Sequence, residues 1–286
     1  MKRHLFQFGA LLILIIVMGA FGWLPLRWSD PAADQSRAAA YYAKGLSCQK
    51  GGGTAEALRW FRQAADLGHA GAQAKVGTAY ATGSGLPEDP KEALRWWRKA
   101  AAQGDAEGQY GLALAQLSGS LIPQDKEAGV KSLQQAASQD FAPAQHRLAE
   151  CCLHGDGITE DPAEAARWYR RAAENGHADA QVTLGFICKR GRWGVAQDAA
   201  QAVQWFQKAA AQKDARAQYQ LGKCYADGTG VPKDLVEAMK WCLLASSTFG
   251  NDAAEWIETH EKDLTSGQNA EARARAEAFR LPQQKK

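Results

Sequence analysis

The chain carries little net charge: 34 lysines and arginines against 31 aspartates and glutamates leave +3 over 286 residues, with six histidines taken as neutral. A balance so close to even, spread along the chain, offers no basic face for nucleic acid. Runs of β-branched residues are few, which argues against a sheet, while abundant alanine and ten tryptophans suit packed helices. There is no His-Glu-x-x-His, no phosphate-cradling glycine loop and no Rossmann fingerprint, so neither a metal nor a cofactor is expected. His146 and His154 stand two helical turns apart with no third ligand in reach. No part of the chain has a disordered composition except a short tail, residues 282–286.

Long apolar runs are also scarce, with one exception. Lys2, Arg3 and His4 precede a run from Leu5 to Leu26, which at about 1.5 Å per residue just spans a bilayer core of roughly 30 Å. Positive charge before the run, and Asp30 and Asp34 after it, orient the N-terminus inward and the remainder outward. Residues 1–28 are therefore expected to be a signal anchor, or a signal peptide cut after Ala20-Phe-Gly22, followed by a linker over 29–35. Either way the body is exported, in the simplest case to a bacterial periplasm.

What the chain has in abundance is periodicity. Alanine pairs begin at Ala64, Ala100, Ala136, Ala172 and Ala209, and Ala245 continues the series, in steps of 36, 36, 36, 37 and 36. Gln73, Gln109, Gln145, Gln181 and Gln218 keep the same beat, as do Asp89, Asp125, Asp161, Asp198 and Asp234. Trp60, Trp96, Trp168, Trp205 and Trp241 repeat likewise, with Ser132 alone missing the slot. Several residue types at one period make this a repeat array. The one extra residue falls near Arg192-Trp193, in a loop, where insertion costs least.

Each unit reads as two helices. The first ends at glycines such as Gly83-Ser-Gly85, Gly155-Asp-Gly157 and Gly228-Thr-Gly230, which supply a left-handed cap. The periodic aspartate then caps the second helix, with Pro90 or Pro162 at its first position. One pair cannot bury its own apolar face, so pairs stack. The five tryptophans are read as the core of that stack and not as a ligand cage.

The unit resembles the Sel-1-like repeat, a relative of the tetratricopeptide repeat. Ala217, Gln218, Leu221, Gly222, Tyr225, Gly228, Gly230, Val231, Asp234, Glu237 and Ala238 carry the likeness. The resemblance implies an all-α, right-handed αα superhelix of about five 36-residue repeats and twelve to fourteen helices. It assigns residues 36–70 to an N-terminal capping half-repeat, 71–250 to the array and 251–281 to C-terminal capping helices. Gln116, Leu121 and Gly129 depart from the pattern, predicting local looseness in the unit from Glu107 to Ala142.

The resemblance also implies a protein or peptide partner, and a non-catalytic scaffold or adaptor in the cell envelope. In such stacks the first helices line the concave side, which makes their off-stripe positions the candidate groove. These are Tyr110, Leu114 and Leu117; His146, Glu150 and His154; Val182, Phe186, Lys189 and Arg190; and Tyr219 and Lys223. Aromatic groups flanked by bases suit a partner with an acidic or carboxylate feature. A secreted effector-like protein is one alternative. Another is a β-lactam-recognising enzyme, since a cysteine-rich branch of the resembled family includes penicillin binders. Ser47 and Lys50 match the Ser-x-x-Lys spacing, but the supporting Ser-Asp-Asn and Lys-Thr-Gly elements are missing. That branch places a disulfide inside each repeat; the spacing of Cys48, Cys151, Cys152, Cys188, Cys224 and Cys242 does not reproduce it. They read as small buried apolar residues.

Overall fold

A computed structural model describes residues 30–246 and 251–280. The expected anchor over residues 1–28, its cleavage site and the tail 282–286 lie outside the described residues. Among those described, no helix is long and apolar enough to cross a membrane.

Fourteen α-helices, and no strand, make up the described residues. The first pair is α1 (Pro31–Lys50) with α2 (Thr54–Asp66), and the second is α3 (Ala70–Thr82) with α4 (Pro90–Ala102). The third is α5 (Ala106–Ser118) with α6 (Lys126–Ala137), and the fourth is α7 (Ala142–His154) with α8 (Pro162–Glu174). The fifth is α9 (Ala178–Arg190) with α10 (Ala199–Ala211), and the sixth is α11 (Ala215–Asp227) with α12 (Leu235–Ala245). Then come α13 (Asn251–His260), a 3₁₀ turn (Glu261–Asp263) and α14 (Ser266–Arg280), which packs on α12. The segment expected as a half-repeat is thus a complete pair, and α1 begins inside the expected linker.

Every first helix packs on its own second helix, which packs on the next first helix. This is the αα solenoid expected. The periodic aspartates cap the second helices: Asp89, Asp161 and Asp234 each accept two backbone N–H bonds, and Asp125 and Asp198 one each. Glycine is required where units meet. Gly230 has φ 75°, and a Cβ there would overlap the carbonyl of Ala199 at the start of α10.

Three of the five periodic glutamines, Gln73, Gln145 and Gln181, turn out to be polar joints of the stack. Gln145 is fully buried; its Nε2 donates to the Ala137 carbonyl of α6 at 3.0 Å and its Oε1 accepts from Asn175, after α8, at 2.9 Å. Gln181 makes the same two bonds, to Ala173 and from Gln212. Gln73 makes them to Ala65 and from Gln103. One side chain thereby ties the preceding pair to both helices of its own pair.

The tryptophan series is only partly core. Trp96, Trp205 and Trp241 are buried, whereas Trp60 and Trp168 are half-buried. A cation covers each ring: Lys44 on Trp60, Lys99 on Trp96, Arg171 on Trp168, Lys208 on Trp205 and Lys240 on Trp241. The charged heads lie 4.0–4.7 Å from the ring centres, in cation–π contact. The deeper filler is the next residue. Phe206 is wholly enclosed, and a Cβ on Gly185 would come within 2.5 Å of its ring.

The third pair is not as loose as its sequence suggests, because two of its three departures, Gly129 and Gln116, are answered within it. Leu117 fills the space left by Gly129, where a Cβ would lie 2.7 Å from its Cγ. Ser132, in the tryptophan slot, donates to Gln116 at 2.9 Å.

Candidate functional site

The first helices α1, α3, α5, α7, α9 and α11 form one layer of the stack, and bonds cross within it from pair to pair. Lys75 of α3 pairs with Glu107 of α5 at 2.6 Å, and Thr78 donates to the same carboxylate at 2.9 Å. Tyr110 meets Phe141 edge-on, His146 stacks on His177 at 4.6 Å, and Asp179 pairs with Arg216. Helix α3 also touches α5 directly. The candidate groove residues lie on the helices of this layer.

The position directly after each buried glutamine lies in the seam between successive first helices. Ala74 and Val182 are short enough to be sealed inside it, at 0% and 3% exposure. The longer Tyr110, His146 and Tyr219 reach out of the seam and are half-buried. Val182 is therefore core, not groove. Leu117 is also core, at 4% exposure, because Gly129 gives it room. Leu114, Glu150, Phe186, Lys189 and Lys223 are half-buried on the layer's surface, and His154 and Arg190 are exposed.

Two aromatic–cation pairs stand on adjacent helices. Arg190 lies 5.6 Å from the Phe186 ring centre, and Lys223 lies 5.8 Å from that of Tyr219. Burial pushes the Tyr110 and Tyr219 phenols above their ordinary value. His146 is held below the ordinary histidine value by burial, against the pull of Glu150 and Asp179. His177 is likewise lowered, first by burial and then by His146. The Nδ1 atoms of His69 and His177 accept from the backbone N–H of Ala72 and Ala180, so these histidines cap α3 and α9 in their neutral form. Asp105 and Asp214 do the same for α5 and α11.

Reading by sequence missed Arg147. Its Nη1 donates to Glu150 at 2.9 Å, and it joins Trp97, Leu114 and Leu121 around a cleft of about 330 Å³. The departure at Leu121 was the one signal that pointed there.

Ser47 and Lys50 sit exposed at the end of α1 with no bond between them. All six cysteines are free. Burial raises the thiols of Cys151 and Cys152 to about 11 and that of Cys242 to about 12, far from the reactive thiolate range. Among the described residues no group of three His, Cys, Asp or Glu is placed to hold a metal ion.

Comparison with known proteins agrees with this anatomy. The Sel1 repeat model matches six times, over residues 32–69, 70–105, 106–141, 142–177, 178–214 and 215–247. A protective antigen of uropathogenic Escherichia coli strains is 28% identical with a TM-score of 0.64, over 86% of this chain and 55% of the antigen. The chain thus spans about half of that relative's length. A Sel1 repeat protein of Oxalobacter formigenes is 26% identical with a TM-score of 0.62, over 86% of this chain and 99% of its own. An immunity protein of Pseudomonas aeruginosa, 15% identical with a TM-score of 0.50 over 90% of this chain and 88% of its own, shares the fold alone. No curated protein matches the chain.

Proposed function

The chain belongs to the Sel1 repeat family, whose members are protein-interaction scaffolds, and from that premise we propose that it holds an extended segment of a partner protein along the first-helix layer of α5, α7, α9 and α11. The observation that carries this reading is the run of half-buried side chains on consecutive first helices, ending in the Phe186–Arg190 and Tyr219–Lys223 pairs. Aromatic anchors beside cations favour a segment with a carboxylate feature.

The N-terminal charge and apolar run support a scaffold tethered to a membrane with the array on its outer side. Extraction of membranes at alkaline pH tests this: an anchored chain stays in the pellet. Release of a chain beginning at Trp23 would instead favour a cleaved, secreted protein.

Displayed random peptides, selected on the full chain, test the face itself. Selected peptides should lose binding when Tyr110, Phe186 and Tyr219 are replaced together by alanine while helicity is kept. Unchanged binding to that variant would remove the first-helix layer as the contact surface.

A further inference from the structure

The cleft beside Arg147 has a cause in the sequence. Trp97 occupies the slot held by Phe61, Leu133, Tyr169, Phe206 and Cys242 in the other pairs. Its indole is clamped between α3 and α5: a Cβ on Gly77 would lie 2.7 Å from it, and one on Gly111 would overlap it. Gly111 stands where the other first helices carry Lys75, Arg147, Thr183 and Gln220. With no side chain at 111, the indole can lie directly on the α5 backbone and present its far side to the cleft. Leu121, in place of the loop glycine, supplies a further apolar wall. The cleft of about 330 Å³ is lined by Ala81, Pro90, Trp97, Leu114, Leu121 and Arg147 among others, with Ser118 and Ser120 at its polar side, and its volume is near the lower end of the roughly 300–1,000 Å³ range of ligand sites.

Two of these residues carry unspent donors. Trp97 Nε1 and Arg147 Nε are both cut off from solvent and donate to nothing, although Arg147 Nη1 is engaged by Glu150. Trp96, Trp205 and Trp241 also keep unpaired indole N–H groups, but those recur in step with the repeat and line no cleft. A buried donor without an acceptor is costly, and a guanidinium with one edge free suits a carboxylate. The N–H edge of Trp97 lies against Gly77 of α3, where a Cβ would come 2.9 Å from Nε1, so the donor left for an occupant is that of Arg147. A purely apolar occupant leaves it unmet, and a bare anion leaves the apolar walls wet. A chain-terminal aliphatic residue carries a side chain and a carboxylate on one carbon.

We propose that this cleft binds the C-terminal residue of a partner peptide, with its aliphatic side chain against Trp97, Leu114 and Leu121 and its carboxylate on Arg147. The inference rests on the first-helix-layer reading above and narrows it to one pocket and one chain end.

The test uses the full ¹⁵N-labelled chain in mild detergent, with the indole N–H signal of Trp97 identified by its loss in Trp97→Phe. N-acetylleucine should shift that signal saturably, and N-acetylleucinamide should bind roughly tenfold more weakly or worse, as a lost charge-assisted bond requires. Arg147→Gln, checked for retained helicity, should bring the acid down to the level of the amide. Arg147→Lys should recover part of the difference, because a charge returns without the planar fork. A silent Trp97, equal binding of acid and amide, or indifference to Arg147→Gln each overturns the proposal. If selected peptides still depend on Phe186 and Tyr219 while Trp97 stays silent, only the cleft falls; if neither responds, the broader reading falls with it.

Discussion

Replacing Gln145 by leucine should cost the stack about 2 kcal/mol. The side chain makes three bonds: to the Ala137 carbonyl at 3.0 Å, to Asp140 at 3.3 Å and from Asn175 at 2.9 Å. Each is worth about 1 kcal/mol net. The Ala137 carbonyl keeps the Asp140 N–H, and Asn175 keeps a longer bond to Asp140, so no buried group is left wholly orphaned. Leucine returns roughly 1 kcal/mol through added apolar burial. Gln109 provides the control, because among the described residues its side chain is bonded by Gln139 alone, at 2.9 Å, and Gln139 also donates to the Gly104 carbonyl. Gln109→Leu should therefore be close to neutral. Urea unfolding followed by circular dichroism gives the two stabilities. Because repeat arrays unfold by units and interfaces, hydrogen exchange should locate the loss in α6, α7 and α8. Equal effects of the two substitutions would refute the idea that the buried glutamines act as joints.

Leu117→Ala should lose about 3 kcal/mol by opening a cavity against Gly129, while Leu114→Ala loses about 1 kcal/mol or less; comparable losses would restore Leu117 to the surface. Cys48, half-buried, should be the one thiol to react with a disulfide reagent at pH 8 in the folded chain, the other five reacting only after unfolding, so several fast thiols would contradict the burial described. Stability should fall on acidification, as read from the urea midpoint between pH 8 and 5. His69, His146 and His177 are lowered by burial, so their contribution is complete above the ordinary value near 6.5 and is lost as pH drops through the folded values. His177→Asp, matching Asp105 and Asp214 at the same cap, should flatten that slope, and an already flat wild-type profile would refute the caps as titrating groups.

The fold was legible because its signals repeat. Aspartate caps, loop glycines, alanine pairs and buried glutamines each return at one period, so a reading that errs in one unit is corrected by the next. What the period could not supply was the state of a slot within a unit. Leu117 looks like a surface leucine until Gly129, across the pair, is known to leave room for it. Val182 looks like part of a groove until its slot is seen to lie in a seam that only longer side chains escape. The tryptophans repeat as a core series should, yet Trp60 and Trp168 remain half-buried, because the neighbouring residue fills the interior.

The same logic explains where function can differ between units of one array. A residue that follows the period is accounted for by stacking; one that breaks it needs a local partner or leaves something unfilled. Gly129 and Ser132 break the period and are answered, by Leu117 and by Gln116. Gly111 is answered by the Trp97 indole. Leu121 breaks it as well, and beside it a cleft remains, with Arg147 Nε unpaired. Compensated departures keep the stack continuous. An uncompensated one lowers the stability of its own pair, a cost that selection tolerates more readily where a ligand, binding only the folded state, gives it back.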